Sequence, residues 1–198
     1  MTATELSHCA NVSPQTASSH LAQLTEAGLL ALEKQGRHHY YRLANSDVAH
    51  ALEALMLLVP KQKSSHPTAP KPIHLARRCY DHIAGRLGVQ LTASMLEKGW
   101  LSTKGKDYII TTKGEKGLAS FGLDLVSIRQ QRRYFARQCL DWSERQHHVA
   151  GALGAALLDN MLELKWLRKD KTERVLHITQ DGYEGLENVF NLRLQIGK

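Results

Sequence analysis

The chain has 198 residues, a net charge of +7 at neutral pH, 42% hydrophobic residues and 23% charged residues. These proportions are those of a globular protein of one or two domains, so they exclude a chain that is disordered throughout. No apolar run reaches the length of a membrane helix and no signal-peptide pattern opens the chain, which predicts a cytoplasmic protein without a membrane partner.

Residues 1–58 begin with the pattern of two short helices. We predict a first helix at Thr2–Cys9 and, after a three-residue break, a second helix at Pro14–Ala27. Ser13 is a favourable N-cap for the second helix because its hydroxyl can accept from a free backbone N–H. Gly28 supplies the left-handed residue that ends it.

A hairpin and a third helix follow. Apolar runs at Leu30–Lys34 and His38–Leu43 flank Gln35-Gly36-Arg37, which predicts two strands joined by a glycine turn. An apolar helix is predicted at Ser46–Leu58, with Ser46 as its cap.

Helix, short turn, helix and two-stranded hairpin is the order of a winged helix-turn-helix domain. The second helix carries hydroxyl and amide side chains suited to base edges and phosphates, and the hairpin tip adds basic ones. The alternative is a solvated polar face on a small helical domain. On the first interpretation, the residues that contact DNA are Ser13, Gln15, Thr16, Ser18, Ser19, His20, Gln23, Arg37, His38, His39 and Tyr41.

The positive charge lies mostly outside this first domain. The net charge is −2 for residues 1–58, +3 for residues 59–73 and +6 for residues 74–198. Because affinity for DNA depends on neutralised phosphates, a nearly neutral domain needs its contacts doubled. We therefore expect a homodimer on a double-stranded DNA operator.

Four segments of this first domain carry a resemblance to known proteins: Thr4–Ser13, Thr16–Leu21, Leu24–Leu30 and Gly36–Leu43. Through these segments the domain resembles the ArsR/SmtB family of bacterial repressors. The resemblance implies a homodimeric winged-helix repressor that leaves its operator when an inducer, often a metal or metalloid, binds. It places the 13–27 helix in the major groove and makes the 30–43 hairpin the wing.

Two features depart from that family. A further helix normally precedes the point where this chain begins, so we expect an N-terminally short domain, or dimer contacts from Ser46–Leu58 and the second domain. The usual metal ligands are also absent: the first helix has Cys9 alone instead of a Cys-x-Cys pair, and Asp47 and His50 have the wrong spacing. No metal ligand is therefore transferred from the family.

Residues 59–73 contain four of the five prolines and three lysines, which predicts a stiff, solvated linker. The second domain, 74–198, contains an internal duplication. Motifs at 76–81, 84–101 and 110–118 return at 136–141, 150–167 and 178–186, with shifts of 60, 66 and 68 residues.

The duplication predicts two winged-helix-like halves, at about 76–122 and 136–190, related by a pseudo-twofold axis. Each half is predicted to contain two helices, a hairpin that begins at a Trp and a short final helix, with a helix at 127–135 joining the halves. The predicted fold class is therefore mainly α with small β-hairpin wings, an α+β protein.

The duplicated polar residues are candidates for a sensing site. On a helix, Cys79 and His82 would share a face, and Arg77 and Asp81, four residues apart, would form a local ion pair. Thiolate and imidazole together can bind zinc, copper or a trivalent metalloid, and a thiol beside arginine can sense oxidants. Buried structural cysteines and an organic ligand between the halves are the alternatives.

The candidates for metal or thiol sensing are Cys79, Asp81, His82 and Cys139, and Cys139 lies near His147 and His148 in the sequence. The same pattern resembles the extended C-terminal region of a two-domain subgroup of the ArsR/SmtB family. That resemblance assigns neither a ligand nor a cofactor.

We therefore predict a sequence-specific transcriptional repressor whose operator affinity is modulated by a metal, metalloid, small molecule or thiol oxidant at the second domain. No catalytic set of nucleophile, base and orienting group is evident, so we expect no enzyme. One alternative is a protein-interaction scaffold that uses winged-helix units without binding DNA. Another is an enzyme in the cleft between the halves, with Asp81, His82 and Asp141 as acid and base groups.

Overall fold

The structure is a computed structural model and describes residues 1–35, 38–58, 72–171 and 173–194. It contains both helices and strands and divides into two compact units, Met1–Leu52 and Glu53–Lys198. Of the linker predicted at 59–73, all but the last two residues lie outside the described residues. Among the described helices, none is both long enough and apolar enough to cross a membrane.

The first unit contains the predicted elements in the predicted order. The two strands pair antiparallel, with Leu30 opposite Leu43 and Lys34 opposite His39. The elements are α1 (Ala3–Ala10), α2 (Pro14–Glu26), β1 (Leu30–Gln35), β2 (His38–Leu43) and α3 (Ser46–Met56), whose last residues belong to the second unit.

Local hydrogen bonds explain where these helices begin and end. The Ser13 hydroxyl accepts from the Thr16 N–H at 3.1 Å, and Gly28 has a φ of 72°, so the predicted cap and stop of α2 are confirmed. The cap of α3 is Asn45, whose amide oxygen accepts from the Val48 N–H at 3.0 Å. The predicted cap was therefore one residue too late.

The second unit contains one succession of elements twice. Two strands, a long helix, two further strands and a final helix occupy residues 77–120 and again residues 137–190. The first set is α4 (Pro72–Leu75), β3 (Arg77–Cys79), β4 (His82–Ala84), α5 (Gly85–Glu97), β5 (Leu101–Lys104), β6 (Asp107–Ile110) and α6 (Thr112–Ser120). After α7 (Leu125–Arg129) come β7 (Arg137–Leu140), β8 (His147–Ala150), α8 (Gly151–Glu163), β9 (Leu167–Lys169), β10 (Leu176–Ile178) and α9 (Gln180–Phe190).

The prediction of two helices at the start of each half is wrong. The first of them is a β-hairpin in both halves, β3–β4 and β7–β8. In β3–β4, Cys79 pairs directly with His82 across a two-residue turn, in which Tyr80 takes the left-handed φ of 58°. A bulky residue in that conformation is uncommon and indicates a turn that the surrounding structure holds in place.

The predicted joining helix at 127–135 is also wrong, because α7 ends at Arg129. The carbonyl oxygens of Tyr134 and Phe135 instead accept from the Ala152 and Leu153 N–H groups, at 2.9 and 2.8 Å. These are the otherwise unpaired donors of the first turn of α8. Residues 134 and 135 are therefore not helical, and their carbonyl groups cap α8 instead.

The paired hairpins are exchanged between the two halves. The β7–β8 hairpin of the second half extends the β5–β6 hairpin of the first, giving the strand order β5-β6-β7-β8. Likewise Arg78 N–H donates to the Arg174 carbonyl and Leu176 N–H to the Ala76 carbonyl, at 2.8 and 3.0 Å. Helix α5 packs on β8 and helix α8 packs on β4. Each half therefore packs its long helix against a hairpin of the other.

Candidate functional site

Most of the exposed side chains of α2 are polar, with Leu24 as an exposed apolar one. Ala17 and Leu21, four residues apart, are buried and attach the helix to its unit. The residues of this helix that are predicted to contact DNA are all exposed: Gln15, Thr16, Ser18, Ser19, His20 and Gln23. Ser13 is exposed as well, but its hydroxyl is occupied as the cap and lies 2.9 Å from the Thr16 hydroxyl. The helix therefore presents donors and acceptors that its own packing does not need.

The hairpin supplies fewer of the predicted contacts. His39 is exposed on β2 and Tyr41 is partly buried, its N–H donating to the Met1 carbonyl at 2.7 Å. His38 begins β2, opposite Gln35. Arg37 lies outside the described residues.

A buried cluster of two thiols and two imidazoles lies where the two hairpins of the second unit meet. Cys79 and His82 come from β3–β4, and Cys139 and His148 come from β7–β8. The two Sγ atoms are 3.9 Å apart and the two Nε2 atoms are 3.0 Å apart. One donor atom from each of the four side chains lies within 4.8 Å of the others. We call these four residues the Cys2His2 cluster.

The two hairpins supply equivalent pairs despite different loops. Cys79 is the cross-strand partner of His82, and Cys139 is the cross-strand partner of His148. Two residues separate the first pair along the chain and eight separate the second. Strand register rather than sequence spacing therefore places each thiol beside an imidazole.

The carboxylate of Asp81 lies beside the ring of His82. The Asp81 Oδ1 atom lies 3.2 Å from His82 Nδ1, and its Oδ2 accepts from Arg133 at 2.6 Å. Burial would raise the pKa of Asp81, but the bonds with His82 and Arg133 outweigh burial and lower the pKa to about 2. Asp81 is therefore an ionised acceptor for the His82 ring.

The matching carboxylate, Asp141, is completely buried. Its Oδ2 atom accepts from Arg77 at 2.9 Å and from the Gly85 N–H at 2.7 Å, and it lies 3.7 Å from His148 Nδ1. Burial opposes ionisation, but the Arg77 guanidinium and the surrounding N–H and hydroxyl donors hold the pKa of Asp141 well below its ordinary range. The buried pair is electrically neutral.

The cluster itself titrates abnormally. Burial alone would lower the pKa of His82, but the hydrogen bonds with Asp81 and Cys79 outweigh it and raise the pKa to about 9. The hydrogen bond with Cys139, together with burial, raises the pKa of the Cys79 thiol far above its ordinary value. Without a bound cation, Cys79 is therefore a neutral thiol rather than a reactive thiolate.

Two glycines allow the helices to approach the cluster. A Cβ atom on Gly88 would lie 2.4 Å from the Ile83 carbonyl oxygen, and one on Gly154 would lie 2.6 Å from that of Val149. The Gly154 Cβ would also lie 3.1 Å from the His82 Cβ. Only glycine permits this packing, and the motif that contains it occurs in both halves.

The sequence prediction of this site was incomplete. Cys79, His82 and Cys139 do come together, with Asp81 behind the His82 ring, but as hairpin residues and not on one helix face. His148 is not among the candidate residues of the sequence analysis, although the 66-residue shift of the repeat, applied to His82, gives His148.

The predicted local ion pair of Arg77 with Asp81 is also wrong. Arg77 pairs with Asp141 and Asp81 pairs with Arg133, because Arg77 lies in β3 and Asp81 in the turn that follows it, not one turn apart on a helix.

Comparison with known proteins indicates a regulator of transcription. The chain is 46% identical over 193 residues to a protein of Bacillus subtilis (strain 168), named uncharacterized HTH-type transcriptional regulator YdfF. The match covers 96% of this chain and 85% of that protein. No protein-family model and no solved structure matches the chain.

The fold of the first unit and this relationship define a class of protein, the DNA-binding regulators of transcription. At this identity over nearly its whole length, the chain belongs to the family of HTH-type transcriptional regulators.

Proposed function

We propose that the chain is a homodimeric repressor of the ArsR type, with a winged helix-turn-helix domain that reads duplex DNA. The exposed polar face of α2 is the observation that carries this proposal. This face supports the reading of DNA bases, because Gln15 and the neighbouring Ser and Thr side chains are exposed on a helix that Ala17 and Leu21 hold in place. Helix α1 comes first, a three-residue turn joins it to α2, and the β1–β2 hairpin follows α2. In winged helix-turn-helix domains with this order of elements, the second helix enters the major groove.

The second unit, on this proposal, consists of two duplicated halves that modulate the affinity for DNA. Its repeated element order and its Cys2His2 cluster support an effector site there. A metal, a metalloid or a thiol oxidant at the cluster would alter the packing between the halves. The affinity of a DNA-binding unit in the same chain changes only if the effector binds the DNA-bound and free states with different affinities.

Selection of binding sequences from a random duplex library, followed by anisotropy titration of the enriched duplex, tests this function. We expect a steep decrease of the association constant with salt, because phosphate contacts release counterions. Gln15→Ala should weaken binding to the enriched duplex about 10- to 100-fold, the effect of losing one bidentate base contact.

Gln146→Ala is the matched control, because Gln146 is also exposed but belongs to the second unit. We expect it to bind like the unaltered chain. A folded chain that enriches no duplex, or whose binding ignores salt, would overturn the proposal and favour a protein-interaction scaffold.

A further inference from the structure

We propose that Cys79, His82, Cys139 and His148 bind one divalent ion of the zinc class in a closed tetrahedral site that joins the two halves of the second unit. An effect of the ion on DNA binding rests on the proposed function. The coordination of the ion depends only on residues of the second unit.

The donor set favours zinc over harder cations. Two thiolates and two imidazoles are the ligands of structural zinc sites, whereas calcium and magnesium require oxygen. All four side chains are at least nine-tenths buried. Four protein donors fill a tetrahedral shell and leave no position for substrate or water, so the site is structural or sensory rather than catalytic.

The distances fit tetrahedral coordination. A tetrahedral ion with bonds of about 2.3 Å to sulfur separates its two sulfur ligands by about 3.8 Å, whereas a linear two-coordinate ion separates them by about 4.6 Å. The Cys79 and Cys139 sulfurs are 3.9 Å apart. Bonds of about 2.0 to 2.1 Å to nitrogen give about 3.3 Å between nitrogens, and the Nε2 atoms of His82 and His148 are 3.0 Å apart.

The imidazoles are oriented for a cation. Asp81 holds Nδ1 of His82 at 3.2 Å, so Nε2 is the ring atom that can bind a cation once the ring has lost its second proton. The Nδ1 atom of His148 lies 3.7 Å from the Asp141 carboxylate, which is longer than a hydrogen bond. Both rings therefore direct Nε2 into the same small volume, and a cation between them would bind both. A carboxylate behind each ligating histidine is the usual second layer of a zinc site.

The charges select a divalent ion. Asp81 and Asp141 are already compensated by Arg133 and Arg77. When the ion binds, both thiols and the protonated His82 ring release one proton each to solvent, and two thiolates, two neutral imidazoles and a divalent ion make a neutral cluster. A trivalent metalloid would leave a buried positive charge and would find two thiolates instead of three. Burial penalises such an uncompensated charge strongly.

The ion would have a route of entry on the Asp81 side. Asp81 lines a cavity of about 500 Å³ together with Tyr80 and Arg133. On the opposite side, Asp141 and Arg77 are completely buried. Exchange of the ion is therefore expected past Asp81.

Titration of the purified, reduced, full-length chain with Co²⁺ and displacement by Zn²⁺ tests the site. We expect one ion per chain and the intense visible and thiolate charge-transfer bands of tetrahedral Co²⁺. Cys139→Ser and His148→Ala should weaken binding at least 100-fold. The matched controls Cys9→Ser and His147→Ala, which alter an exposed cysteine and the exposed histidine next to His148, should bind like the unaltered chain.

A further pair of variants tests the carboxylate layer. Asp81→Asn should lower zinc affinity 10- to 100-fold with the stoichiometry unchanged, as is usual for such partners of ligating histidines. Asp159→Asn, at another exposed position of the second unit, should leave the affinity unchanged.

Three results would overturn the inference: a folded chain that binds no stoichiometric ion, the weak spectrum of octahedral Co²⁺, or Cys79 and Cys139 recovered as a disulfide from chain purified without reductant. If the ligand variants do not fold, the stoichiometry and spectrum of the unaltered chain still decide. Duplex binding is measured on the same samples. Metal binding without DNA binding would refute the proposed function alone, and the reverse would refute the metal site alone.

Discussion

Breaking the buried ion pair between Arg77 and Asp141 should strongly destabilise the second unit. Both side chains are fully buried, with 2.9 Å between the charged atoms. Arg77 also donates to the Ile73 carbonyl and the Ser143 hydroxyl, at 3.3 and 3.1 Å, whereas its buried Nε has no hydrogen-bond partner among the described residues. Substitution by methionine keeps much of the apolar stem but leaves the Asp141 carboxylate buried with fewer partners.

We expect Arg77→Met to lower the free energy of unfolding by about 3 to 5 kcal/mol, the usual cost of an uncompensated buried charge. The Gly85 N–H and the donors of Ser143 still face Asp141, which favours the lower end of that range. Adding Asp141→Asn removes the orphaned charge, so the double variant should lose less than the sum of the two single variants.

Urea unfolding followed by tryptophan fluorescence and far-UV circular dichroism measures this effect. All three tryptophans, Trp100, Trp142 and Trp166, belong to the second unit, so their fluorescence reports on it. Arg129→Met is the matched control, because Arg129 pairs with Glu115 at 2.8 Å on the surface and should contribute at most about 1 kcal/mol. If the two arginine variants are equally stable, the role given to the buried pair is refuted.

Two further predictions concern burial and close packing. Burial raises the pKa of Tyr108 from its ordinary value of 10 to about 12, so the stability that its protonated form contributes is present below pH 10 and is lost as the pH rises to 12. Tyr108→Phe should remove this loss of stability at alkaline pH, which amounts to about 2 to 3 kcal/mol, in urea titrations from pH 9 to 12. An unchanged dependence of stability on pH would contradict this expectation. Gly154→Ala should destabilise the chain by about 1 to 3 kcal/mol and weaken cobalt binding, because the new methyl group meets the Val149 carbonyl and His82. Where there is room, glycine to alanine in a helix stabilises instead, so a gain in melting temperature would refute the close packing.

The first unit could be predicted from local signals. Ser13 and Gly28 mark the ends of α2 through hydrogen bonds and backbone angles that depend on adjacent residues alone. The same holds for the two strands of its hairpin, where apolar residues border a glycine turn. Such signals do not depend on the rest of the fold.

The Cys2His2 cluster could be predicted only in part. The strands that carry Cys79 and His82 are three residues long, too short to show an alternating pattern, and Arg77 and Asp81 have a spacing that favours a helix. Contacts with the other half decide the strand conformation, through bonds such as Arg78 N–H to the Arg174 carbonyl. The duplication did identify Cys139, and its 66-residue shift could have identified His148.

The exchanged hairpins bear on how the duplicated unit arose. A single repeat standing alone would have one thiol, one imidazole and a hairpin whose partner strands belong to another molecule. Two copies would therefore associate as a swapped homodimer, and their assembly would depend on protein concentration. Fusion of the copies into one chain makes that encounter intramolecular, so that Cys79 and Cys139 meet at any dilution. It also frees the copies to diverge, as the longer loop before His148 and the unequal burial of Asp81 and Asp141 illustrate.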